Sequence, residues 1–80
     1  MSRVCVKFFA LFREEAGTEA AWVDTDAASL GKLFMEMGER FNLNQSLQGV
    51  KVAVNDEMAS FDDPVVDGDT VLFFPPVAGG

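Results

Sequence analysis

Eighty residues, of which 49% are hydrophobic and eight are Phe, allow one domain with a rich core and leave no room for a second. A net charge of −7, with 13 acidic against six basic residues, argues against a nucleic-acid surface and permits steering toward a basic partner. There is no His, the usual general base and commonest metal ligand, and the single Cys5 excludes an internal disulfide. One cysteine fits a reducing compartment, no apolar run approaches membrane-spanning length, and the start has no signal-peptide h-region. The expectation is a cytoplasmic chain.

Arg3–Ala10 alternates, with Val4, Val6 and Phe8 on one side and Arg3, Cys5, Lys7 and Phe9 on the other. Period two predicts a strand whose Val4, Val6 and Phe8 face the core, with Cys5 a small residue of the opposite face. Leu11–Gly17 predicts one or two helical turns ended by Gly17. Ala20–Thr25, with Trp22 and Val23, predicts a second strand returning antiparallel on the first. Ser29 is a plausible N-cap for the clearest helix, Ser29–Phe41. Leu30, Leu33, Phe34, Met37 and Phe41 form one apolar stripe, and Met35 and Met37 read as packing residues. Gly31 and Gly38 weaken this helix by about 1 kcal/mol each relative to Ala, so packing must hold it.

Asn42–Gly49 reads as loop, with room for a helical turn around Gln45–Leu47. Val50–Asn55 is a strand with its valines inward, Asn55-Asp56-Glu57 a turn, and Met58-Ala59 a short returning strand. A long connection from Phe61 ends in a tight turn at Asp67-Gly68-Asp69. The final strand, Val71–Phe74, is β-branched and aromatic. One helix across one face of a small mixed sheet is the natural α+β architecture. If the first and last strands pair side by side, the sheet is a ubiquitin-like β-grasp. A sheet covered on one face should alternate, yet Leu72 and Phe74 would then face outward. With Phe9 and Ala53 they make a partner-docking patch, unless another loop covers them.

The domain, 1–75, is followed by an extended tail, 76–80, expected to be flexible. Pro75-Pro76 cannot continue a ladder and favours polyproline II, so six residues from Pro75 reach roughly 20 Å at about 3.3 Å each. Val77, Ala78, Gly79 and Gly80 carry no charge and no long side chain, a shape suited to a narrow channel. Diglycine alone reads as a frayed end more readily than as a function. After a strand and Pro-Pro it offers one reactive group, the Gly80 carboxylate, which an ATP-using partner could convert to an acyl-adenylate. The pairs Glu14-Glu15, Asp62-Asp63 and Asp67/Asp69 lack EF-hand spacing and read as solvated surface. No metal site, P-loop or nucleophile–base arrangement is present in the pattern. The chain itself has nothing to catalyse with.

The opening strand into Phe8-Phe9-Ala10, Arg13-Glu14 with Gly17, Val54-Asn55, Asp67-Gly68-Asp69 and the ending Phe73-Phe74-Pro75-Pro76-Val77-Ala78-Gly79-Gly80 together resemble the small subunits of molybdopterin synthase. These are sulfur carriers related in fold to ubiquitin and to the thiazole-pathway carrier. The resemblance spans the whole chain and is most specific at the ending. It implies that a ubiquitin-activating-like adenylyltransferase adenylates Gly80 with ATP. A sulfurtransferase then supplies sulfur, leaving a thiocarboxylate and no bound cofactor. It also implies docking on the large, catalytic subunit in a heterotetramer, with Val77 to Gly80 threaded into that subunit's active site. There the sulfur goes to a cyclic pyranopterin phosphate to build the molybdopterin dithiolene. Phe74 stands at the family's hydrophobic contact position, with Leu72 and Phe9 behind it and Pro75 and Pro76 at the exit. Lys7 departs from the family, where an aliphatic is common. Two other readings stay open: a carrier for another pathway or a modifier conjugated through Gly80, and a plain β-grasp module. An ending already complete at Gly80 suits activation without processing.

Overall fold

A computed structural model describes residues 1–43 and 49–75. In chain order these form β1 (Ser2–Phe8), α1 (Leu11–Ala16), β2 (Ala20–Thr25), α2 (Leu30–Arg40), β3 (Lys51–Val54), β4 (Glu57–Ala59) and β5 (Thr70–Phe74). The strands make one mixed sheet in the order β2-β1-β5-β3-β4. β1 and β5 are parallel neighbours at its centre, with Val6 opposite Val71 and Phe8 opposite Phe73. β2 returns antiparallel on β1, and β3 runs antiparallel to both β5 and β4. This is the β-grasp arrangement. The helical turn expected around Gln45–Leu47 and the tail 76–80 lie outside the described residues.

The alternation in β1 is realised: Val4, Val6 and Phe8 are buried, and so is Cys5 on the opposite face. The strand stops at Phe8 rather than Ala10, because the chain turns sharply there. The Phe12 N–H bonds the Phe9 carbonyl, and Ala10 takes φ 53°, ψ −119°. Leu30, Leu33, Phe34 and Met37 are fully buried against the inner sheet residues Val4, Val6, Val52, Val71 and Phe73. Phe41 is not a helical residue but the C-cap of α2, half-buried with its ring 5.0 Å from Phe8. Ser29 caps the other end as expected, its hydroxyl accepting from the Lys32 N–H.

Phe61 lies in what reads from sequence as plain connection, yet its ring stacks on Phe73 and meets Phe34 edge-on. The same loop closes the N-terminus of α2, since Gly31 and Leu30 donate to the carbonyls of Phe61 and Asp63. These bonds satisfy donors that have no partner inside the helix.

The two helical glycines therefore differ. A Cβ on Gly31 would lie 3.3 Å from the Phe61 carbonyl, whereas one on Gly38 would meet only the Leu43 carbonyl at 4.0 Å. Gly38→Ala should stabilise the protein by about 1 kcal/mol, raising Tm by about 4–8 °C. Gly31→Ala should give clearly less, as thermal melts of the two variants will measure.

Candidate functional site

The helices and the 61–66 loop occupy one side of the sheet, and no other described element packs on the opposite, open side. Outward positions follow from register: Lys7 is opposite Leu72, Ala53 lies on its far side and Met58 beyond that. Lys51 is opposite Phe74. Phe9, immediately past β1, sets its ring edge-on to Phe74 at 5.5 Å between centroids. Phe9 is 53% exposed, while Leu72 and Phe74 are half-buried rather than fully exposed, each sheltered by neighbours within the sheet. Among the described residues no loop covers them. Pro75 is also half-buried at the top of β5. The structure thus brings Phe9, Leu72, Phe74 and Pro75 together, while Pro76 to Gly80 lie outside the described residues.

Phe9 is placed by the turn at Ala10. The bond between Phe12 N–H and Phe9 carbonyl, with φ 53° and ψ −119° at the second residue, is a type II′ turn. That conformation favours Gly, and Ala holds it at a cost of about 1–3 kcal/mol. The sequence signal was indirect, because Phe9-Ala10-Leu11 contains no turn residue.

The root of β5 is fixed by side chains of turns. Asn55 and Asp56 adopt positive φ, the type I′ pattern of a two-residue hairpin between β3 and β4. The Asn55 amide oxygen accepts from the Thr70 N–H and its amide nitrogen donates to Asp69, both at 3.0 Å. Asp67 accepts from the Arg3 N–H at 2.7 Å, and Gly68, at φ +89°, donates its N–H to the Arg3 carbonyl. Asp69 also accepts from the Val66 N–H. Asp63 likewise accepts from the Ser60 N–H. Asp63, Asp67 and Asp69, expected to be merely solvated, therefore build turns, since short carboxylates satisfy backbone donors locally.

Chemistry is sparse. No group of three or more His, Cys, Asp or Glu residues positioned for a metal occurs among the described residues. A shallow cleft of about 340 Å³ beside β4, lined by Val54, Met58, Pro64 and Val66 with Asp63 and Asp69, brings no nucleophile near a base. No described helix is long and apolar enough to cross a membrane.

The sequence pattern of the ThiS family matches residues 6–80. The chain belongs to that family. It is 42% identical over 78 residues to the molybdopterin synthase sulfur carrier subunit of Escherichia coli, covering 94% of this chain and 96% of that one. The fold of this ThiS-family chain superposes on SAMP1 from Haloferax volcanii with a TM-score of 0.80, at 26% identity over 99% and 100% of the two chains. It also matches a chain in the complex of subunits 1 and 2 of the molybdopterin-converting factor from Helicobacter pylori. There the TM-score is 0.65 and the identity 29%, over 98% and 99% of the chains.

Relieving the turn tests its strain. Ala10→Gly should raise the unfolding free energy by about 1 kcal/mol, the relieved strain outweighing the added chain entropy. Urea unfolding measures it, and a destabilised variant would mean that the Ala10 methyl supports the turn.

Proposed function

We propose that this chain is the sulfur-carrying small subunit of a molybdopterin synthase, non-catalytic by itself, acting through the carboxylate of Gly80. The observation that carries the reading is the junction at Phe74-Pro75: an apolar patch on the open sheet face stands at the root of a tail ending in diglycine. Likeness to the Escherichia coli carrier over nearly the whole chain supports the pathway, and the Helicobacter pylori complex supports a large-subunit partner.

The chemistry assigned to Gly80 is acyl activation. A partner adenylyltransferase joins the carboxylate to the α-phosphate of ATP and releases pyrophosphate. A sulfurtransferase persulfide then attacks the acyl carbon and AMP leaves; a thiol reduces the resulting acyl disulfide, and a thiocarboxylate remains. Docked on the large subunit in the cytoplasm, the chain places Val77 to Gly80 within that subunit's active site. The thiocarboxylate sulfur displaces an oxygen substituent from a carbon of the pyranopterin precursor, and water cleaves the resulting thioester to return the Gly80 carboxylate. Two such deliveries supply the two sulfurs of the dithiolene. Sulfur is soft and strongly nucleophilic, and a tethered tail presents it at high effective concentration. Catalytic groups belong to the partner. Phe74 is the main docking residue, with Leu72, Phe9, Pro75 and Pro76 around it.

Intact mass after incubation with the adenylyltransferase, ATP and a sulfur donor should show one oxygen replaced by sulfur, localised to Gly80. Deleting Gly80 should abolish that gain and leave Tm unchanged. A truncated protein that unfolded would refute a tail independent of the domain, and an unaltered mass in the intact chain would refute the carrier function. Phe74→Asp should weaken large-subunit binding by at least tenfold, about 1.4 kcal/mol, while lowering stability by less. Equal losses in titration calorimetry and thermal melts would assign Phe74 to the core.

A further inference from the structure

The open face of the sheet does not share the charge of the chain. Its outward strand positions carry Arg3, Lys7 and Lys51 against one acid, Asp24, while the whole chain stands at −7. Three of the six basic residues and one of the 13 acids lie there. Arg3 is engaged within the protein, its guanidinium carbon 5.7 Å from the centre of the Trp22 ring. Lys7 and Lys51 are different. Both are exposed, neither forms an ion pair among the described residues, and they are the register partners of Leu72 and Phe74.

The fold gives no reason for lysine at these two places. Lys is disfavoured in strands, and a carboxylate would keep an apolar patch equally wet on a chain already rich in acid. Segregating cations onto the face that carries Leu72 and Phe74 makes sense as complementarity to what docks there. We infer that Lys7 and Lys51 are specificity-determining contacts, and that the protein surface receiving Leu72 and Phe74 carries carboxylates beside its apolar pocket. The inference rests on the docking reading above and deepens it. It also reverses the expectation, drawn from net charge, of a basic partner surface. At physiological salt, exposed charges more than about 8 Å apart are largely screened, so the near face outweighs the distant acids as the partners close.

Stopped-flow association with the large subunit of the same organism's molybdopterin synthase, over a range of NaCl concentrations, tests it. The double variant Lys7→Glu/Lys51→Glu should associate about tenfold more slowly at low salt and lose the slowing that salt causes in the parent chain. Its melting temperature should match the parent's. The opposite-face variant Glu39→Lys/Asp62→Lys, which changes net charge equally in the other direction, should stay within about twofold of the parent rate at physiological salt, where its charges are screened from the interface. A Lys7→Glu/Lys51→Glu protein that associates as fast as the parent, or faster, overturns the inference, as does a large acceleration by Glu39→Lys/Asp62→Lys at physiological salt. Phe74→Asp distinguishes the two levels. If it abolishes binding while the lysine variant behaves as the parent, only the charge inference fails. If it binds normally, the docking face itself is wrong, and the inference falls with it.

Discussion

The parallel pairing of β1 with β5 is the constraint on which the remaining structure depends. It joins the two ends of the domain across more than 60 residues, and everything between has to be folded around that closure. α1 and β2 return on one side, α2 crosses one face, and the β3–β4 hairpin completes the other edge. The pairing also sets Phe9, at the end of β1, beside Phe74, at the end of β5. Residues remote in sequence thus meet at the root of the tail because their strands run in the same direction.

The eight phenylalanines divide between the two sides of this sheet. Phe8 meets Phe41, and Phe12, Phe34, Phe61 and Phe73 form a continuous aromatic cluster on the helix side. Phe73 is central to it, wholly buried between Phe34 and Phe61, and truncating such a side chain to Ala typically costs about 3–5 kcal/mol. Phe9 and Phe74 pair on the far side, where no described element packs. A domain of 80 residues has enough helix to cover one face only. An apolar pair that no described element covers is the ordinary mark of an interaction surface.

Period-two alternation in β1 and β3, and the stripe Leu30, Leu33, Phe34, Met37, were enough to read the architecture and most of the core from sequence. The patch was legible for a related reason: Leu72 and Phe74 break the alternation that a one-sided sheet requires. What stayed hidden depends on contacts distant in sequence. Phe61 belongs to no periodic segment, so its place against Phe73 follows only from the path of the loop over α2. The carboxylates of Asp63, Asp67 and Asp69 look like surface charge until the backbone donors they accept from are seen. Nor could net charge reveal that one face carries half of the basic residues and only one acid, because faces of a sheet are assigned by register and not by composition.

The position of β5 gives the last described residues a firm anchor. β5 is paired on both sides, by β1 in parallel as far as Phe73 and by β3 antiparallel as far as Phe74. At its other end the strand is held by the Asn55 bonds to Thr70 and Asp69. A tail leaving from an edge strand could be peeled away by a partner that pulls on it; one leaving from the centre would have to break two ladders first. Pro75 follows directly and forbids a further ladder bond from its nitrogen, so the sheet ends where the tail begins. On the proposed docking, Phe9, Leu72 and Phe74 would fix the origin of the tail in the partner's frame. In that proposal the domain's contribution to the reaction is to hold one end still.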